Sequence, residues 1–304
     1  MHQTQRQMQP AHRAIWSLVH ILSRRQRIKV TNELSVLLMK IATWIYVGAG
    51  LCYLAYFISM RRALGEAGRA ILIAGLVPHV PGVIIRAIVS QRPPFLNLYE
   101  YMISVTLAIV ILYLILETLT KTKIFGAAVV PLIALAGLFA TRLPCEVAWT
   151  MPALRSAWRT PHIVTAILAY SSFAIAFGLA ILYIARERTG EESTAFWTQR
   201  LPSLKVLDHT AYRMIAFGFM MQTALLLTGA IWAQVVFGRP WNWDPKEVWA
   251  LVTWLVYATY LHTRLSMGWR GHRSMVLAII GFAVVLFTLL GVNLIGKGYH
   301  SEYS

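Results

Sequence analysis

Long apolar runs separated by short polar segments organise the whole chain. Eight of them approach the roughly 20 residues that a helix needs to cross about 30 Å of hydrocarbon. They run approximately from Val36 to Ile58, Arg69 to Val89, Leu98 to Leu119, Ile124 to Ala140, His162 to Ala185, Met214 to Val236, Val248 to Leu265 and Ser274 to Ile295. The pattern predicts an all-α, polytopic integral membrane protein with about eight transmembrane helices. The fourth run is short and is joined to the third only by Lys121-Thr122-Lys123. No repeat or low-complexity tract interrupts the series, so a basic N-terminal segment, residues 1–33, is expected to precede a single transmembrane domain, residues 34–304. Met1 to Thr31 is polar and basic and lacks a small-residue cleavage site after an apolar core, so no cleavable signal peptide is expected. Its Ala14 to Leu22 stretch is too short to cross a bilayer and suits the interface.

Composition sharpens this picture. The chain is 58% hydrophobic and only 13% charged, against roughly 25% charged in soluble domains, which excludes an ordinary soluble enzyme. The net charge of +16 would suggest nucleic acid in a soluble protein. In so apolar a chain it is better explained by basic loops beside anionic lipid headgroups, and no nucleic-acid partner is expected. The two cysteines, Cys52 and Cys145, form neither a metal cluster nor a C-x-x-C pair, and no C-x-x-C-H segment is present. The chain is therefore not expected to carry a covalently attached haem of its own.

The alternation of spans places the unusual residues by parity. Pro161-His162 opens the fifth span, the Trp-rich loop from Phe237 to Glu247 joins the sixth and seventh, and Tyr299-His300 follows the eighth. All three should share one membrane face. His262 lies fifteen residues beyond Glu247, about 22 Å along a helix at 1.5 Å per residue, towards the opposite face. The loops on the His262 side hold more Lys and Arg than those opposite, which favours an outward-facing Trp loop. The basic stretch from Arg6 to Lys40 then falls outside as well, which runs against that rule.

The strongest local signal is the segment from Trp232 to Glu247, with Trp232, Gly238, Arg239, Pro240, Trp241, Trp243, Asp244, Pro245 and Glu247. Tryptophans such as Trp44 and Trp269 are explained as interfacial anchors. Three Trp around Gly238, Pro240 and the Asp244-Pro245 turn instead predict a flat aromatic surface with polar handles, suited to a large planar ligand. Asp244-Pro245-Lys246-Glu247 also reads as a helix start with a capping box, which could be the whole role of both acids.

These residues resemble a known family. Trp232, Gly238 and Trp241-x-Trp243-Asp244-Pro245-Lys246-Glu247 match the tryptophan-rich WWD motif of haem-handling proteins. The wider context is similar to the CcsA (ResC) type component of the System II cytochrome c synthetase: Arg92 to Glu100, Thr160-Pro161-His162, Thr210 to Arg213, His262-Thr263-Arg264, and Gly291 to Ser301. The resemblance implies a haem-handling subunit that passes haem b across the membrane and holds it at an external WWD site. There it would present the haem for thioether attachment to a C-x-x-C-H apocytochrome c. It also implies His162 and His300 as axial iron ligands at that site, and His262 at an inner site completed by a CcsB (ResB) type partner. The membrane implied is a bacterial cytoplasmic membrane or a thylakoid.

The residue types suit that task. Neutral imidazole is a good iron ligand, and thioether formation asks the protein for orientation more than for a nucleophile of its own, so no catalytic residue is expected. Haem propionates need cations, with Arg239 first and Arg155 and Arg159 in reserve. Arg92, Asn97, Tyr99 and Glu100 sit at the mouth of the third span and could shape the haem site or touch the partner. Arg264 reads as a snorkelling anchor. His79, between Pro78 and Pro81, could pair with His262 but more readily packs between helices. His2, His12, His20, His209 and His272 are expected in basic flanks or loops and to bind nothing. A haem exporter or periplasmic carrier without ligation activity, or a b-type cytochrome, are the alternatives.

Overall fold

The structure, a computed structural model, describes residues 10–147, 156–189 and 200–292. Among these residues the chain forms eight α-helices: α1 (Pro10–Ser59), α2 (Arg62–Ser90), α3 (Leu98–Thr120), α4 (Gly126–Ala140), α5 (Arg159–Thr189), α6 (Leu204–Phe237), α7 (Pro245–Ser266) and α8 (His272–Leu286). A π-helical turn, Phe287–Gly291, extends α8. Six of the apolar runs fall within one helix each, the fourth starts two residues before α4, and the described part of the eighth continues from α8 through the π-helical turn. Six helices are long and apolar enough to cross a membrane, and α4 is a shorter apolar helix. The Trp, Tyr, Thr and His262 of α7 dilute its apolarity, although its 22 residues are long enough. The protein is an all-helical integral membrane protein.

Hydropathy located the spans but not the helix ends. α1 runs unbroken through the boundary expected near residue 33, because neither Gly nor Pro occurs from Ala11 to Val47 to stop it. Its 50 residues extend about 75 Å, far beyond one bilayer thickness. Polar caps set other ends. Asn97 accepts the Glu100 amide at the start of α3, and Ser203 accepts the Val206 amide at the start of α6.

α1 and α2 pack along their length, as do α5 and α6, while α5 also touches α3, α4 and α8. The buried face of α2 is a stripe at three- and four-residue spacing that includes Gly68, Leu72, Gly75, His79, Gly82 and Arg86. Met39, Tyr46 and Tyr53 on α1 recur every seven residues and fill the places where Gly82, Gly75 and Gly68 lack side chains. A Cβ on Gly75 would lie 2.2 Å from the Tyr46 ring. Close backbone approach of this kind replaces the hydrophobic drive that lipid does not supply. Outward-facing residues such as Val77 and Leu119 are exposed, as a lipid-facing surface requires.

Buried polar groups tie the bundle together at the end remote from the α6–α7 loop. Glu117 on α3 accepts hydrogen bonds from Tyr53 (2.5 Å) and Tyr113 (2.7 Å) and lies 3.7 Å from the Lys123 ammonium. Asp208 on α6 takes two bonds from the Arg264 guanidinium, at 2.9 and 2.5 Å, and one from the Gly271 amide at 3.1 Å. Arg264 also lies over the Tyr212 ring, 4.7 Å from its centroid. The snorkelling role expected for Arg264 is thus corrected: an acid one helix away binds both arms of its fork. Asp208→Asn should cost about 1–3 kcal/mol of stability, since hydrogen bonds to a charged partner are worth that much. A thermal unfolding midpoint equal to wild type would contradict this.

Candidate functional site

The loop between α6 and α7 is built by its ends. Gly238 closes α6 in a left-handed conformation at φ 74°, a geometry that suits glycine. Asp244 caps α7, accepting the Lys246 amide at 2.9 Å, while the Glu247 carboxylate accepts the amides of Asn242 (2.8 Å) and Asp244 (3.3 Å). Both acids therefore serve the capping box, as their spacing suggested. Between them Trp241 is half-buried and meets Trp243 edge to face at 5.9 Å. Trp243 itself is 76% exposed and holds φ at +57°, an uncommon conformation for a bulky residue.

His162 sits in the first turn of α5. Its Nδ1–H donates to the Leu225 carbonyl of α6 at 3.0 Å. A carbonyl can only accept, so the proton is on Nδ1 and the lone pair of the neutral ring is on Nε2, the arrangement that a metal-ligating imidazole uses. The ring stands 5.7 Å from that of Trp232 and tilts 35° to it. It reaches Leu225 because Gly229, one turn further along α6, has no side chain: a Cβ there would lie 2.9 Å from Nδ1 and Cε1 of His162. Gly229→Ala should push the ring off its carbonyl, and loss of the hydrogen-bonded Nδ1–H resonance in the NMR spectrum of the purified variant would report it.

His162, Trp232 and Trp241 line one cavity of about 680 Å³, within the roughly 300–1,000 Å³ typical of ligand sites. Four helices and the α6–α7 loop contribute to it. Tyr99 and Tyr101 from α3 bring buried hydroxyls that have no hydrogen-bond partner among the described residues, and Thr288 and Leu289 of the π-helical turn close one side. Arg159 and Lys246 are its cations. Lys246 precedes the apolar run of α7, and burial pushes its ammonium below the usual lysine range despite the opposing pull of Asp244. A half-buried imidazole, two indoles, orphaned hydroxyls and two cations suit a large planar molecule with acidic substituents.

Beneath the mouth of the cavity lies a buried charge cluster. Arg86 of α2, fully buried, donates to Glu100 of α3 at 3.0 Å, to the carbonyls of Cys145 (2.6 Å) and Glu146 (2.7 Å), and to Asn32. Arg92 donates to the other Glu100 oxygen at 2.7 Å, and Asn97 donates to the Glu146 carbonyl at 3.0 Å. Asn97 and Tyr99 therefore line the cavity, whereas Arg92 and Glu100 hold its supporting loops. Arg86, Leu225 and Gly229 escaped sequence reasoning. Arg86 alone left a signal, an ionisable residue inside an apolar run.

Other expected site residues lie elsewhere. Arg239 is exposed and outside the cavity lining, although Phe237, Pro240 and Trp241 on either side of it line the cavity. Trp243 and Asp244 are also absent from that lining. His262 is exposed on the surface of α7, towards the end remote from the loop. His79 is buried with both ring nitrogens in use, 2.9 Å from the Tyr46 hydroxyl and 3.1 Å from the Ile103 carbonyl. The adjacent cavity is only about 10 Å³, room for one water at most, so no haem fits there. His209 lies near the start of α6, in the basic flank between Lys205 and Arg213. His272, the first residue of α8, is 2.5 Å from the Glu187 carboxylate. His300 and Arg155 lie outside the described residues.

Together these features define an α-helical membrane protein with one aromatic, histidine-bearing cavity capped by a Trp loop. The family model for cytochrome C assembly protein matches residues 95–300. Over 219 residues the chain is 39% identical to a Cytochrome c biogenesis protein CcsA of Chlamydomonas reinhardtii, covering 70% of this chain and 61% of that one. It is also 39% identical over 238 residues to the CcsA of Guillardia theta, covering 71% of this chain and 78% of the relative. A solved structure titled Cytochrome c Heme Lyase CcmF shares the fold, with a TM-score of 0.65 and 16% identity over 90% of this chain and 48% of that one. The chain belongs to the cytochrome c assembly protein family, as a member of the CcsA type.

Proposed function

We propose that this protein holds haem as its substrate in the cavity beneath the Trp loop and presents it for covalent attachment to an apocytochrome c. The observation that carries this reading is His162, held by its Nδ1–H on the Leu225 carbonyl beside Trp232, in the wall of a 680 Å³ cavity also lined by Trp241. In this reading Nε2 of His162 is one axial ligand and His300 the other. The indoles bury the macrocycle and leave an edge for the incoming chain. Attachment adds each cysteine S–H across a vinyl C=C: a C–S bond forms, the thiol proton goes to the neighbouring carbon, and nothing leaves. The protein's contribution is then orientation, and no nucleophile of its own is needed. A histidine of the C-x-x-C-H segment would displace one axial ligand, so release becomes a ligand exchange.

His262, exposed on α7, would serve an inner haem site shared with a CcsB (ResB) type subunit, in a System II synthetase whose Trp loop faces outward. The cargo would be haem b, and the membrane a bacterial cytoplasmic membrane or a thylakoid. Co-expression with such a subunit and a C-x-x-C-H reporter, in a host lacking its own pathway, tests the proposal. Covalent haem on the reporter is expected. Haem bound to the purified protein with none transferred would reduce the role to that of a carrier.

A further inference from the structure

Two helices each deliver one cation to the same largely apolar cavity. Arg159 opens α5, and Lys246 is the second residue of α7. Neither forms a salt bridge among the described residues. Asp244 is near enough to pull on the Lys246 ammonium but its carboxylate caps α7 on the Lys246 amide, and the other acids around them are committed or solvated. Glu247 accepts two backbone amides of the loop, Glu100 is shared by Arg86 and Arg92, and Glu146 is exposed at the rim. Both cations are half-buried and neither is paired by the acids within reach, so this wall favours an anionic group on the occupant. Its chemistry points to carboxylate: a guanidinium fork grips both oxygens, and an ammonium supplies a point charge.

We propose that Arg159 and Lys246 are positioning residues for the two carboxylates of a bound dicarboxylate porphyrin. They set its in-plane rotation and so decide which edge of the ring meets the incoming thiols. Arg239, on the exposed part of the loop, has no share in this. The inference rests on the haem-holding reading of the cavity.

The test titrates purified full-length protein with haem and with haem dimethyl ester, whose carboxylates are masked, by absorption spectroscopy. Wild type, Arg159→Gln, Lys246→Gln and the double variant are compared, with Arg239→Gln as a control. Wild type should bind haem about tenfold or more tighter than the ester, as loss of charge-assisted hydrogen bonds predicts. Each single variant should lose part of that preference and the double variant all of it. Affinity for the ester should stay constant throughout, as should the preference in Arg239→Gln. Equal affinity of wild type for haem and ester would overturn the assignment. So would variants that weaken both ligands equally, since that pattern reports a structural role. Failure of wild type to bind either ligand would sink the haem-holding reading as well.

Discussion

His162→Ala is expected to remove haem binding at the cavity almost entirely. Outer-shell partners alone are commonly worth about 10–100-fold in metal affinity, so losing the ligand itself should cost more than about 100-fold. The effect should be specific, because the Leu225 carbonyl that holds the ring also accepts from the Thr228 hydroxyl at 3.2 Å and so keeps a donor when the imidazole is gone. The unfolding midpoint should move little. His162→Gly offers a sharper version: the vacated space beside Gly229 would admit free imidazole, and millimolar imidazole should restore the six-coordinate absorption spectrum. Unchanged haem affinity in both variants would remove His162 from the site. Recovery with imidazole would tie the loss to the missing nitrogen and not to a damaged fold.

Arg86→Met should produce the largest loss of stability of any single change considered. The guanidinium is fully buried, and its four partners come from α1, α3 and the loop after α4. Removing one member of a buried ion pair typically costs about 3–5 kcal/mol, because its partners stay buried without it. Here two backbone carbonyls lose their donors together with Glu100, and Arg92 replaces only part of what Glu100 loses. The double variant Arg86→Met with Glu100→Gln should be less unstable than the sum of the single variants, since the carboxylate left behind is then neutral. Chemical unfolding in detergent measures all three. A single variant within about 1 kcal/mol of wild type would mean that the cluster is not a stabilising element.

The two experiments probe different layers of one arrangement. His162 faces the occupant, while Arg86 anchors the loops beside Asn97 and Tyr99 that shape the same cavity. Loss of haem binding in Arg86→Met, if seen, should therefore come with a lowered unfolding midpoint.

Much of this protein was legible in one dimension. The eight apolar runs became eight helices because lipid leaves the backbone no partner but itself, so a long apolar stretch has one good solution. The capping box at Asp244 and Glu247 was legible for the same kind of reason: its bonds are made within a few residues of chain. The Trp loop stood out because interfacial anchoring explained it poorly, and the alternation of spans put His162 on the same face as that loop. Arg264 and Arg239 show the limit. Each was assigned from its sequence neighbourhood, and three-dimensional placement decided otherwise: Asp208 arrives from α6 to hold Arg264, and Arg239 is exposed while its neighbours Phe237, Pro240 and Trp241 line the cavity.

The sequence by itself determined the fold class, the number and order of the helices and the residues with unusual chemistry, since these follow from hydropathy and from bonds local in the chain. Only the tertiary structure decided which of those residues share a cavity. Helix rotation and crossing are set by contacts between distant segments, such as Tyr46 against Gly75 and His162 against Gly229. A glycine carries no sign, in a sequence read alone, of the ring that will occupy its missing side chain. For that reason Lys246 came forward from a helix cap to the wall of the site, and His79 was spent on packing.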